Sequence, residues 1–253
     1  MKKYFFFLTQ LLSIVVLSQT GPGGVGNSSD NIVWLDAARL GLANNDAVSS
    51  WTDLSGNNNH AVQATGTQQP IYKTGQINGV SAIDFDGNND FLQFTNHITT
   101  GSISAYTIHK SQSTNINGIL TLEKHMIYSG GGFIANVYDS PREYYSFGFS
   151  QNDPTIFQFH TSSATTGVNL NSFRSNSSTT AGKNSTRTAF LNKTVSSVGS
   201  LIDGLGSPIR FQNGEISEII VFNRELSSAE KNIINAYLGG KYTIPSITTL
   251  FSF

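Results

Sequence analysis

The stretch from Gly214 to Tyr242, GEISEIIVFNRELSSAEKNIINAYLGGKY, constrains this chain more than any other. From Ile216 to Phe222 the residues are β-branched or aromatic with little interruption, the pattern of a strand covered on both faces. Asn223 and Arg224 leave that strand. Ser227 and Glu230 then form Ser-x-x-Glu, the spacing at which a serine hydroxyl takes the amide three residues on and the glutamate returns to the serine amide. Behind this cap, Ile233, Ile234, Tyr237 and Leu238 fall on one helical face. Gly239 and Gly240 are expected to stop the helix, because glycine accepts the left-handed conformation of a C-cap.

Thirteen positions in this stretch carry a resemblance. They are Gly214, Ile216, Glu218, Ile220, Asn223, Arg224, Leu226, Ser227, Glu230, Tyr237, Leu238, Lys241 and Tyr242. Together they resemble the closing strand and helix of the laminin-G-like, concanavalin A-like jelly-roll domains of secreted bacterial surface proteins. A second element, Trp51-Thr52-Asp53-Leu54-Ser55-Gly56-Asn57-Asn58-Asn59-His60, is similar to a Trp-x-Asp-x-Ser-Gly-Asn turn of the same family. A third is Phe85-Asp86-Gly87 followed by Asp90, Phe91 and Leu92. The resemblance implies an all-β fold, an antiparallel two-sheet β-sandwich with one short C-terminal α-helix, and a role in carbohydrate binding or surface adhesion.

The chain in order agrees with that expectation. Asn31–Leu35 reads as a short apolar strand with Trp34 in the core. Ser81–Asp86 alternates, with Ile83 and Phe85 on one face, and Asp90–Phe94 is expected to return as its hairpin partner. Polar turns separate further strand patterns at 104–108, 118–122, 132–137, 144–149, 155–159 and 187–191. In Tyr144–Phe149 the row Tyr145, Phe147, Phe149 is expected to face the core, with Tyr144 opposed to it. Ser172–Ser185 is rich in Ser, Thr and Asn without apolar period and reads as a long loop.

Met1–Ser18 has the form of a secretory signal, with Lys2 and Lys3 ahead of an apolar run that reaches Leu17. The run is shorter than the ~20 residues a membrane span needs and contains Thr9, Gln10 and Ser13. The organisation expected is therefore a signal peptide over 1–18, a flexible Gly-rich leader over 19–30, a jelly-roll domain over 31–243 and a tail over 244–253. The chain is expected outside the cell or on its surface. It contains no cysteine, so no disulfide framework supports it.

Charged residues make up only 12% of the chain, against about 25% in ordinary soluble domains, and the net charge is −1. Asn, Ser, Thr and Gly supply the polarity. Nucleic acid needs a basic face, and an anionic membrane surface needs clustered lysine and arginine; neither is present.

Concanavalin A-like sandwiches include glycoside hydrolases with Glu-x-Asp-x-Glu on one strand, where period two aligns the carboxylates on one face. This chain has no such motif. Glu215 and Glu218 are three apart, which a regular strand sends to opposite faces, and Glu218 is expected on the Ile216 and Ile220 face, paired with a base such as Arg224. Asp53 and His60 read as a hydrogen-bonded turn with His60 packed beneath it, rather than a catalytic pair. Asp84, Asp86 and Asp90 place carboxylates around a turn in a pattern that suits calcium, or else cap its amides. Tyr144 is the candidate ring for the apolar face of a sugar. The reading is a secreted, non-catalytic module that binds extracellular polysaccharide or glycan. A structural or protein-interaction module stands second and a glycoside hydrolase third.

Overall fold

The computed structural model describes residues 20–99, 101–113, 115–123, 125–129 and 193–243 in full, and the backbone of strands at 133–137, 143–147, 155–160, 168–172 and 181–185. The strands in chain order are β1 (Asn31–Asp36), β2 (Ser50–Trp51), β3 (Ala61–Val62), β4 (Ile71–Ile77), β5 (Val80–Asp86), β6 (Leu92–Phe94) and β7 (Ser104–Ser111). They continue as β8 (Asn117–Thr121), β9 (Met126–Ser129), β10 (Phe133–Val137), β11 (Glu143–Phe147), β12 (Thr155–His160), β13 (Val168–Ser172) and β14 (Ala181–Ser185). The last are β15 (Ser197–Val198), β16 (Leu201–Ile202), β17 (Pro208–Ile209) and β18 (Asn213–Phe222), followed by helix α1 (Ser228–Lys241).

Two antiparallel sheets form a sandwich. The first runs β12-β7-β18-β5-β4, with β1 also on β18; the second runs β11-β10-β9-β8-β15-β6-β3-β2. Between them lie Val33, Leu35, Ile83, Phe85, Ala105, Ile216, Ile219 and Val221 from the first sheet. Trp51, Ala61, Leu92, Phe94, Leu120, Ile127 and Val198 meet them from the second. Each such side chain fully removed from water contributes roughly 1.5–3 kcal/mol.

β18 is the central strand and is buried on both faces, as its apolar run dictates. Its register against β7 slips between Ile216 and Glu218. This bulge turns the alternation over. Ile216 points between the sheets, while Glu218, Ile220 and Phe222 point to the outer face, where α1 packs. Glu215 and Glu218 therefore share the outer face. The expectation of opposite faces assumed an unbroken period of two, and so did the placing of Glu218 beside Ile216.

Helix α1 closes the outer face of the first sheet through Ile234, Leu238 and Tyr242, against Trp34, Tyr106, Ile108, Ile220 and Phe222. Its capping box is complete: Ser227 Oγ accepts the Glu230 amide and Glu230 Oε2 accepts the Ser227 amide. Arg224 adds a two-pronged contact to Glu230 (3.0 and 2.6 Å) and reaches Asp30 Oδ2 through Nε at 2.9 Å. The helix continues through Gly239 and Gly240 to Lys241. Contacts of Lys241 and Tyr242 with the sheet hold the last turn, overriding the glycine stop signal. Ile233 lies off the buried stripe and is 47% exposed.

Three more expectations change. Residues 20–30 are built into the fold. Pro22–Gly24 forms a 3-10 turn, Val25 inserts under the helix, and at Gly23 (φ 64°) a Cβ would meet Tyr237 Cβ at 3.0 Å. β5 and β6 are not a hairpin: β5 pairs with β4 and β18, while β6 pairs with β3 and β15. Residues 87–91 thus arch from one sheet to the other, with Gly87 at φ 80° packed on Asn213. Within the expected 172–185 loop, β14 forms and pairs with β13. The strand expected at 187–191 lies outside the described residues.

Candidate binding face

Two of the acids singled out from the sequence belong to the scaffold. Glu218 is fully buried beneath α1. Its Oε1 accepts Trp34 Nε1–H (2.9 Å) and the Tyr237 hydroxyl (2.8 Å). Its Oε2 accepts Lys241 (2.7 Å) and the Tyr242 hydroxyl (2.9 Å). Arg224 is not its partner. Burial pushes this carboxyl up, and Lys241 opposes the shift. Lys241 also reaches Asp36 Oδ2 at 2.7 Å. Further along the same face Glu215 is held through Oε1 by Lys110 and Gln112, each at 3.1 Å, and lies opposite Asp84 in the strand register.

Asp84, Asp86 and Asp90 stand around the arch between the sheets and serve its backbone. Asp86 Oδ1 accepts the Asn88 and Asn89 amides, and Asp90 Oδ2 accepts the Asp86 amide. Against the effect of burial, those amides hold Asp86 below the usual carboxylate range. Burial pushes Asp90 up to about 6, and burial with the nearby Glu215 charge raises Asp84. Among the described residues no three His, Asp or Glu side chains are grouped to hold a metal ion. The contacts of Asp86 and Asp90 are with the arch's own backbone.

The Trp51–His60 segment folds around Asp53. Its Oδ1 accepts the Trp34 and Ser55 amides, and its Oδ2 accepts the Ser55 hydroxyl and the Asn59 amide. Gly56 turns at φ 88°. The Asp53 amide donates to His60 Nδ1 at 3.0 Å. Asp53 is thus a tie between β1 and the turn, and its carboxylate does not meet the imidazole.

The outer face of the second sheet is the remaining candidate. Ladder pairing carries one row of residues across all eight strands: Ser50, Val62, Gln93, Ser197, Thr121, Met126, Asn136 and Tyr144. The adjacent row runs Leu92, Val198, Leu120, Ile127, Ala135 and Tyr145, and its first four members are core. By register Tyr145 stands in the Leu92–Ile127 row and Tyr144 in the Gln93–Met126 row. The Tyr144 side chain lies outside the described residues.

The β16–β17 hairpin covers the middle of this face. Thr121 and Ser197 hydroxyls donate to Ser200 O at 3.0 Å, and Leu201 packs on Met126 and Tyr128. A Cβ on Gly118 would collide with the Ser200–Leu201 backbone, so only glycine allows the hairpin so close. At the hairpin tip Asp203 Oδ1 accepts the Leu205 and Ser207 amides at 2.8 Å and presents Leu205, which is 93% exposed. Beyond the hairpin, on β2, β3 and β6, the face is open: Ser50, Thr52, Gln93 and Thr95 are exposed, and His60 and Val62 half-buried. Of these residues only Thr52 and His60 belong to a motif legible in the sequence, the Trp51–His60 turn. Their alternation with buried Trp51, Ala61 and Phe94 is the signal that marks them.

No family model and no curated protein matches the chain. Solved structures do match in fold. Domain 4 of an extracellular arabinanase from Geobacillus stearothermophilus, in complex with arabinotriose, has 12% identity and a TM-score of 0.52; the match covers 76% of this chain and 98% of that domain. An α-L-arabinofuranosidase soaked with a cyclic sulfate inhibitor has 14% identity and a TM-score of 0.52, covering 76% of this chain. This chain spans half the length of that enzyme, at 50%. Trypanosoma rangeli sialidase in complex with sialic acid has 12% identity and a TM-score of 0.50, covering 90% of this chain and 36% of the sialidase. At such identities the likeness establishes the β-sandwich. No laminin-G domain is named among these three, so that part of the sequence pattern stays a resemblance.

Proposed function

We propose that this chain is an exported, non-catalytic β-sandwich that binds extracellular glycan. The observation that carries the reading is the uncharged, hydroxyl- and amide-bearing strand face beside the β16–β17 hairpin. Neutral donors and acceptors of this kind match sugar hydroxyls without the desolvation cost of a charge. The fold supports it: the match to an arabinanase domain in complex with arabinotriose covers 98% of that domain.

The non-catalytic part rests on where the acids go. Glycoside cleavage uses two carboxyls flanking the scissile bond, about 5–9.5 Å apart. Glu218 is sealed under a helix, Asp53 is saturated by turn amides, and Glu215 is 4% exposed and paired with Lys110. Export rests on the Lys2-Lys3 and apolar-run pattern of Met1–Ser18.

A pull-down on insoluble polysaccharides, with a soluble glycan array and reducing-end release measured in parallel, tests the reading. Binding without release is the expected result. Steady release of reducing sugar would overturn the non-catalytic assignment. One observation favours the second reading, a protein-interaction module: the rigid tip that holds Leu205 almost fully in water. Binding to a protein partner with no glycan bound would give that reading first place.

A further inference from the structure

The open part of the second sheet's outer face is two cross-strand rows deep. One is Ser50–Val62–Gln93. The other stands one residue beyond the Trp51–Ala61–Phe94 pairing, whose side chains point into the core, and consists of Thr52, His60 and Thr95, the Thr95 amide donating to His60 O at 2.8 Å. Neither row holds a charged side chain. Three strands span about 10 Å from first to last, wide enough for one or two sugar rings laid flat.

His60 gives this shelf a defined polarity. Its Nδ1 accepts the Asp53 amide at 3.0 Å, which leaves Nε2 as the nitrogen that can donate. Nε2 makes no hydrogen bond to a described residue. The same turn that fixes Asp53 thus fixes the tautomer and orientation of a half-buried imidazole on an exposed face. A donor held in this way loses little rotational freedom when it binds. Gln93, one strand away, is exposed, and its side-chain amide makes no hydrogen bond to a described residue, so it supplies a donor and an acceptor. Ser50 and Thr52 add hydroxyls, and Thr95 Oγ1, which donates to Asn58 O at 2.9 Å, keeps acceptor capacity.

We propose that this shelf is the glycan subsite of the domain, taking a neutral polysaccharide chain with His60 Nε2–H as its fixed donor and Gln93 as its second contact. The assignment rests on the carbohydrate-binding reading above and adds where and through which atoms binding occurs. An anionic polymer is disfavoured, because the shelf offers no cation to offset its charge.

The test uses the mature chain and the polysaccharide that the parent protein retains best in the pull-down. His60→Asn keeps an acceptor, Oδ1, in the place of Nδ1 and deletes Nε2–H. Gln93→Ala removes the second contact. Asn232→Ala, exposed on the helix across the molecule, is the control. The expected result is about tenfold weaker binding for each shelf variant, the loss that one to two hydrogen bonds carry. Melting temperatures should stay unchanged and the control should bind as the parent does. In nitrogen-detected NMR spectra, addition of the glycan should shift His60 Nε2 of the parent. Parent-like binding by both shelf variants would sink the shelf and leave the glycan reading standing. A parent protein that binds no glycan would overturn both.

Discussion

The ammonium of Lys241 stands 2.7 Å from Glu218 Oε2, joining the last turn of α1 to the centre of the first sheet. The same nitrogen lies 2.7 Å from Asp36 Oδ2, so one lysine ties helix, central strand and first strand together. Trp34, Tyr237 and Tyr242 fill the remaining acceptor positions of Glu218.

Removing one member of this buried set leaves the others uncompensated. Glu218→Ala should therefore cost about 3–5 kcal/mol, and Lys241→Met a similar amount, because each strands a buried charge. Glu218→Gln keeps the shape and should cost less than Glu218→Ala. Urea denaturation measures all three. A loss below 1 kcal/mol for Lys241→Met would show that Glu218 and Asp36 do not depend on its charge.

At the other end of the helix the forces are different in kind. Ser227→Ala removes a solvent-exposed cap and should cost on the order of 1 kcal/mol. Ile234→Ala empties a fully buried site and should cost about 2–5 kcal/mol. Ile233→Ala, one residue away but exposed, should fall within about 0.5 kcal/mol of the parent. Denaturant melts that reverse the order of the two isoleucines would mean the helix is rotated on the sheet.

The helix cap, the central strand and the Asp53 turn were legible in the sequence because each depends on residues within ten positions of one another. What escaped was set at longer range. Nothing local to Ile216–Glu218 announces the bulge that turns Glu218 outward; it is imposed by β7, where His109 and Ile108 are the consecutive partners of Ile216 and Glu218. Gly239 and Gly240 carry a true local stop signal, and the distant Glu218 overrides it through Lys241 and Tyr242. The Gly87–Asn89 turn looks like a hairpin tip until the second sheet claims β6. The open shelf was missed because exposed Ser, Thr and Gln carry no signal of their own; only their buried neighbours reveal the face.

His109 is buried between the sheets, its Nδ1 3.1 Å from the Thr107 hydroxyl. Burial lowers its pKa to about 3, well below the usual 6.5. The native ring stays neutral while the unfolded chain takes up a proton below 6.5. Its contribution to stability is therefore intact above pH 6.5 and falls as pH drops toward 3, with a limiting slope of about 1.4 kcal/mol per pH unit. His109→Gln should flatten that part of the stability–pH curve, whatever its effect at pH 8. An unchanged slope between pH 6 and pH 4 would assign the acid sensitivity to other groups.

Asp90 works in the opposite sense. The residue is 6% exposed at the foot of the arch, and burial raises its pKa from 3.8 to about 6. The native state thus holds a proton here that the unfolded chain has already lost. This stability is fully present below pH 3.8 and is lost as pH rises through about 6, so above pH 6 the buried carboxylate destabilises the fold. Asp90→Asn keeps an oxygen for the Asp86 amide and removes the charge. The variant should melt higher than the parent at pH 8, and the advantage should shrink at pH 4.5. Calcium provides the contrasting arm. If Asp84, Asp86 and Asp90 held the ion, calcium would raise the parent's melting temperature at pH 8 by binding the native state alone, and Asp90→Asn would abolish the rise. The amide contacts of Asp86 and Asp90 lead us to expect no calcium-dependent shift in either protein. A rise confined to the parent would show that the arch opens to take the metal.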